Sequence, residues 1–243
     1  MKEVNIKTLQ VGVTIGTLLF AFAFNIPTIF QFAWGQTTGG NNGVGVYTSD
    51  SKPYGLSYGD WTAKWWQWLA AIPSNVNPAS DNSGANCAKN QTGPVWFLTG
   101  SVTGKAERTC NIPAGKSILF TIINAECSYV EYPKFKTELE LRKCAVSQQN
   151  GVTHIETIID GISLSNQQMP RIQSPLFNVT FPINNVFGNP VGQSQSVADG
   201  YYVFLKPLAA GKHDISFKAT EVQYTTTGVS SEAQNIVYHL VVQ

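Results

Sequence analysis

Five carboxylates, Asp60, Glu126, Glu131, Asp160 and Asp199, are the groups in this sequence best suited to acid–base work. Paired acids about 5 to 9 Å apart cleave glycosidic bonds, one protonating the leaving oxygen while the other attacks or activates water. Asp160-Gly161 and Asp199-Gly200 read as turns, which accounts for two of the five. Asn124-Ala125-Glu126, at the end of a strand and next to Cys127, is the first place to seek a site. A second chemistry is stacking on a sugar ring, whose C–H face is apolar and whose hydroxyls need polar partners. Trp66, about 100° around a helix from Trp65, lies off the stripe that faces the sheet: the expectation is that a wide groove swallows it, and the alternative is an exposed indole beside Tyr58 and Asp60, with Tyr201 and Asp199 as further contacts.

Other chemistries fail on residue type. Neither a Gly-x-Ser-x-Gly elbow nor a His-Glu-x-x-His helix occurs. Ser49-Asp50-Ser51-Lys52 and Ser80-Asp81-Asn82 imitate two penicillin-binding motifs, but no Lys-Thr-Gly follows. A blue-copper set needs two His, a Cys and usually a Met together. Met169 is the one methionine outside the first segment, and His154, His213 and His239 fall on three different strands. His213 shares the inward parity of Ile215. No metal site and no cofactor is expected.

Compartment comes from the first segment and the cysteines. Lys2 and Lys7 precede an uncharged run with an apolar heart at 11–24, the order of a secretory leader. Ala33-Trp34-Gly35 places cleavage after Gly35, giving a signal peptide over 1–35. The alternative is an uncleaved anchor over 11–34, which Asn25, Pro27 and Gln31 weaken. Both readings export the remainder, and a membrane is met through this segment alone. Cys87, Cys110, Cys127 and Cys144 all follow it, an even count that implies disulfides in an exported chain. Sequential pairing, Cys87 with Cys110 and Cys127 with Cys144, closes the shortest loops. The sequons at Asn90 and Asn178 suit the same compartment. With 13% charged residues and a net charge of +1, the chain lacks the basic footprint of a nucleic-acid binder.

The elements that must carry these residues read as mainly β. Residues 36–52, rich in Gly and Asn, read as a flexible linker, and 53–243 as one domain. Ser57 or Asp60 starts a helix on which Trp61, Trp65, Trp68 and Ile72 share a face, and Pro73 ends it. Thr137-Glu138-Leu139-Glu140 is a capping box opening a short helix that Cys144 ties back. Branched and aromatic runs predict strands at 95–100, 116–124, 153–159, 176–181, 201–206, 213–221 and 236–242. Asp160-Gly161 predicts a two-residue hairpin. About eight strands at this spacing predict an antiparallel β-sandwich, jelly-roll or Ig-like.

Together, Trp61 with Lys64-Trp65-Trp66-Gln67-Trp68, Gly93-Pro94-Val95-Trp96-Phe97-Leu98, Ile112-Pro113-Ala114-Gly115-Lys116, and Ala198-Asp199-Gly200-Tyr201 running to Gly211-Lys212-His213 carry a resemblance. Over most of residues 57–242 the chain resembles a family of exported β-rich proteins of bacteria and archaea. In that family Gly often precedes the position of Gln91. Here Asn90 stands there, placing a glycan acceptor where the family has a tight turn. The resemblance implies export and a single domain, and brings no activity. The expected function is a non-catalytic envelope or extracellular protein that binds carbohydrate. Its alternatives are a secreted polysaccharide hydrolase and a structural surface-layer protein.

Overall fold

Period-two alternation with apolar groups on both sides needs cover on both faces of a sheet, and the central strands here have that pattern. The computed structural model describes residues 44–225 and 228–243. The expected leader and the first part of the linker lie outside the described residues. The elements run α1 (Tyr58–Ala70), β1 (Val95–Leu98), β2 (Lys105–Ile112), β3 (Ser117–Ser128), α2 (Glu138–Gln149), β4 (Val152–Ile159), β5 (Ile162–Ser163), β6 (Arg171–Gln173), β7 (Phe177–Phe181), β8 (Gly192–Leu205), β9 (Gly211–Thr225) and β10 (Gly228–Val242).

Two five-stranded sheets result. The first is ordered β1-β3-β8-β6 with β7 also on β8, and the second β2-β10-β9-β4-β5. Most neighbours are antiparallel, but β1 runs parallel to β3 and β2 parallel to β10. The expectation of a purely antiparallel fold is therefore corrected to a mixed one. The reason is connectivity: β2 crosses to the second sheet between β1 and β3, so the chain returns to the first sheet in its original direction.

Ile118, Phe120, Val203 and Leu205 of the first sheet meet Ile215, Phe217, Ile236, Tyr238 and Leu240 of the second in one apolar interior. Phe120 and Phe217 stack at 5.2 Å across it. The alternate residues Val95, Phe97, Leu119, Tyr202 and Phe204 face the other way and receive α1. On the second sheet the outer face is wet: β2 and the first half of β9 alternate buried and solvent-facing residues.

Local signals act as the residues dictate. Ser57 and Asp60 form a capping box at α1, and Thr137 and Glu140 form one at α2. Asp160 and Gly161 take φ of 49° and 80°, the two left-handed residues that a tight hairpin requires. Asn90 also has positive φ, 51°. The tight turn is thus kept at this position, because Asn tolerates the left-handed region better than most residues.

Both expected disulfide pairs form, Cys87 with Cys110 and Cys127 with Cys144, at Cα separations of 5.8 and 6.1 Å. They point to an oxidising compartment. Among the described residues no helix is long and apolar enough to cross a membrane. Residues 44–52, which composition places in the linker, include a stretch paired to the first sheet. Val46 bridges Leu205, and the Tyr47 ring meets Phe204 at 5.0 Å. Val44, Val46 and Tyr47 supply apolar groups that the surrounding glycines mask.

Candidate functional site

Four of the six tryptophans lie on α1, and all four are buried. A buried indole N–H needs an acceptor. Trp61 donates to the Pro53 carbonyl at 2.9 Å, Trp65 to Leu98 at 2.8 Å and Trp68 to Lys89 at 2.9 Å. Trp66 finds no backbone carbonyl for its N–H and has only a weak contact with the Tyr202 hydroxyl. It lines a cavity of about 280 Å³ bounded by α1, the 99–102 loop, β3, the last turn of α2, and the facing ends of β9 and β10.

The walls are built with some care for position. In β3 the register with β8 slips between Thr121 and Ile123, a bulge of the kind found beside functional sites. The extra residue reverses the alternation, so Asn124 faces the α1 side, where its Nδ2 donates to the Tyr202 hydroxyl at 3.0 Å. Gly200 lies opposite, and a Cβ there would come within 2.3 Å of the Asn124 Cβ. The loop after β1 is held by Gln234, which accepts from Ser101 N at 3.0 Å and donates to Ser101 O at 3.1 Å. Behind it, Arg108 donates to the Thr99 and Gly100 carbonyls.

The last turn of α2 supplies Gln148 and Gln149. Gln148 Nε2 lies 3.1 Å from Cys127 Sγ and 3.3 Å from the Tyr132 hydroxyl. Gln149 is 2% exposed and its Oε1 has no partner. An unpaired buried acceptor, Gln149 Oε1, and a weakly held donor, Trp66 Nε1, therefore share the wall of one cavity. Tyr58, Trp96, Thr157 and Asn189 bury unpaired atoms elsewhere, so it is the combination with open space that marks this place. At the mouth stand Phe187, 36% exposed, and Val102, 57% exposed. The Phe187 ring lies 5.5 Å from Trp66.

Of the residues singled out from sequence, the structure brings Trp66 and Asn124 to this cavity and disperses the rest. Trp66 is 5% exposed, so the groove takes it in as expected and the exposed alternative is set aside: Trp65 and Phe187 cover it. Tyr58 is buried against Phe204, and Asp60 is taken up by the cap of α1. Asp199 accepts from Arg171 Nε at 2.7 Å and is 4% exposed, a tie between β6 and β8. Tyr201 lines a separate depression with His154, Met169 and Arg171. His213, half-buried at the sheet rim, is held by Asp160 and the Ala209 carbonyl and is not a core residue.

Glu126 does meet a second acid, Glu131, but in hydrogen-bond contact, closer than the about 5 Å of a two-acid glycosidase. Its Oε2 also accepts from Ser196 Oγ, while Glu131 accepts from Ser128 N at 3.0 Å and Ser128 Oγ at 2.7 Å. Burial, then the adjacent Glu131 carboxylate, pushes Glu126 well above the ordinary carboxylate range. The folded state therefore holds a proton that the unfolded chain releases at about pH 4.3. Its contribution is full below that pH and is lost as pH rises through the folded value. Glu126→Gln keeps the shape and cannot ionise, so it is expected to raise Tm by about 2–4 °C at pH 8 and leave it unchanged at pH 4. Thermal melts at the two pH values check this.

Sequence reasoning missed Phe187, Gln149, Glu221, Glu232 and Gln234. Phe187 carried a usable signal, a lone aromatic inside Pro182-Ile183-Asn184-Asn185-Val186-Phe187-Gly188-Asn189-Pro190, otherwise a run of turn residues. The others gather from helix and strand ends remote in sequence. No family model, curated protein or solved structure matches this chain.

Proposed function

We propose that this chain is an exported extracellular or envelope protein, a two-sheet β-sandwich that binds carbohydrate without altering it. The site is the cavity between α1, β3 and α2. The observation that carries this reading is the unpartnered, buried Gln149 Oε1 on a wall that also holds Trp66, Asn124, Ser101 and Gln234. A sugar ring answers all of it, because its hydroxyls both donate and accept while its C–H face suits Phe187 and Val102. About 280 Å³ lies at the small end of ligand sites, room for one residue of a glycan. The resemblance to exported proteins and the near-neutral charge support the same compartment. Asn90 and Asn178 are both exposed, open to glycosylation where the cell performs it.

A glycan array followed by titration of the best hit tests the proposal. Gln149→Leu removes the unpaired carbonyl at similar volume, and Trp66→Phe removes the indole N–H together with one ring of the wall. Each is expected to weaken binding about tenfold, the value of one buried hydrogen bond, with Tm changed by only a few degrees. Binding left intact by both variants would place the ligand elsewhere. Release of reducing sugar from the bound glycan would replace this reading with the hydrolase one.

A further inference from the structure

From the hydrogen-bonding balance of this cavity we infer that its saccharide bears an acetamido group, whose amide N–H donates to Gln149 Oε1; the inference rests on the saccharide reading above. Gln149 ends α2 and is 2% exposed, with Oε1 unpaired. A buried acceptor without a partner is unfavourable, and an entering donor relieves it. The side-chain donors of the same wall are engaged elsewhere. Asn124 Nδ2 donates to the Tyr202 hydroxyl at 3.0 Å, Gln234 Nε2 to Ser101 O at 3.1 Å and Thr121 Oγ1 to Tyr201 O at 3.3 Å. Gln148 Nε2 is shared between Cys127 Sγ and the Tyr132 hydroxyl, and Trp65 Nε1 is held by Leu98 O.

That balance discriminates among the groups of a sugar. A hydroxyl donating to Gln149 brings two lone pairs of its own, and the donors around it are already engaged. An amide N–H donates once and has no lone pair to strand. The carbonyl of the same group takes the Trp66 N–H, which the Tyr202 hydroxyl holds only weakly. Releasing Trp66 still leaves that hydroxyl its bond from Asn124. The acetyl methyl needs an apolar seat, and Leu69, Ala79 and Ile122, all buried, line the same cavity. The N–H, the carbonyl and the methyl thus each meet a matching feature of the wall. The ring lies toward the mouth, where Phe187 and Val102 are exposed and its hydroxyls reach water.

Titration calorimetry of the full-length protein with N-acetylglucosamine, glucosamine and glucose tests this. N-acetylglucosamine is expected to bind at least about tenfold tighter than either of the others, the value of one buried hydrogen bond. In Gln149→Leu, which removes the acceptor at similar volume, that margin is expected to shrink to about threefold or less. Should the variant not fold, the comparison of the three sugars on the unaltered protein decides alone. Glucose or glucosamine binding as tightly as N-acetylglucosamine, or a margin that survives Gln149→Leu, overturns the inference and leaves the saccharide reading standing. Where none of the three is held but the glycan array shows binders, acetamido sugars among them support the inference and a set without any overturns it. If none of the three binds and the array is also blank, the saccharide reading falls, and this inference with it.

Discussion

Arg108→Met is expected to lower the folding free energy by about 3–5 kcal/mol, the cost of breaking a fully buried charged network from one side. Arg108 is 1% exposed. Its guanidinium donates to Asp81 O at 2.6 Å, Thr99 O at 2.8 Å, Gly100 O at 3.0 Å and Tyr238 Oη at 2.7 Å, and lies 5.2 Å over the Tyr238 ring. Three carbonyls and a hydroxyl solvate the charge where a carboxylate more often pairs with it. Methionine fills the space but strands those acceptors away from water. Arg108→Lys keeps the charge and offers three donors without the planar fork, so about half the loss is expected. Urea unfolding curves read both, and a midpoint unchanged by Met would refute the argument. Thr99 and Gly100 form one wall of the cavity, so the methionine variant is also expected to bind ligand more weakly at temperatures where it remains folded.

Arg108 also shows where the sequence was legible and where it was not. The strand it sits on, β2, was absent from the expected set because its buried positions are Ala106, Arg108, Cys110 and Ile112. Of those four one is charged and only Ile112 is a large apolar residue, so the alternation vanished from the sequence although the burial pattern is regular. By contrast the His213–Thr220 stretch, with Ile215, Phe217 and Ala219 inward, was plain. Both helices were legible at their starts, α1 from Ser57 or Asp60 as a cap and from its tryptophan stripe, α2 from its capping box, signals that act within a few residues. Disulfide pairing was legible because loop closure favours near neighbours. The parallel pairs β1–β3 and β2–β10 were not, since they depend on which sheet β2 joins, a choice set by tertiary packing. Trp66 shows the limit of helical periodicity: the wheel put it off the stripe, but the groove is wide enough to bury every tryptophan of α1. The cavity escaped altogether, because Gln149, Glu221 and Glu232 are ordinary polar residues until three elements bring them together.

The staple at Cys127–Cys144 is the place where stability and site meet, and removing it is expected to cost about 3 kcal/mol, the loop-closure entropy for its 17-residue separation. α2 has little else. Its buried residues are Leu141, Ala145 and Gln149, one narrow stripe, and a 12-residue helix is marginal alone in water. Leu141 and Ala145 pack with Cys127 and Val197 in a small cluster, and polar ties run from Arg142 to Ser174 O and from Arg171 to Val146 O. In a Cys127→Ala/Cys144→Ala double variant the sheets are expected to hold while α2 opens locally. Hydrogen exchange at Leu141–Gln149 should then speed up far more than at Ile215–Ala219. Ligand binding should fall with it, because Gln149 belongs to the turn that comes loose. The matching variant at Cys87 and Cys110 removes a staple of similar worth, with a separation of 23 residues, from the interior between the sheets. It is expected to lower the unfolding midpoint by a similar amount while leaving α2 protected. If both variants expose α2 equally, the helix is held by the sheets and not by its disulfide, and the proposed link between that bridge and the ligand site is wrong.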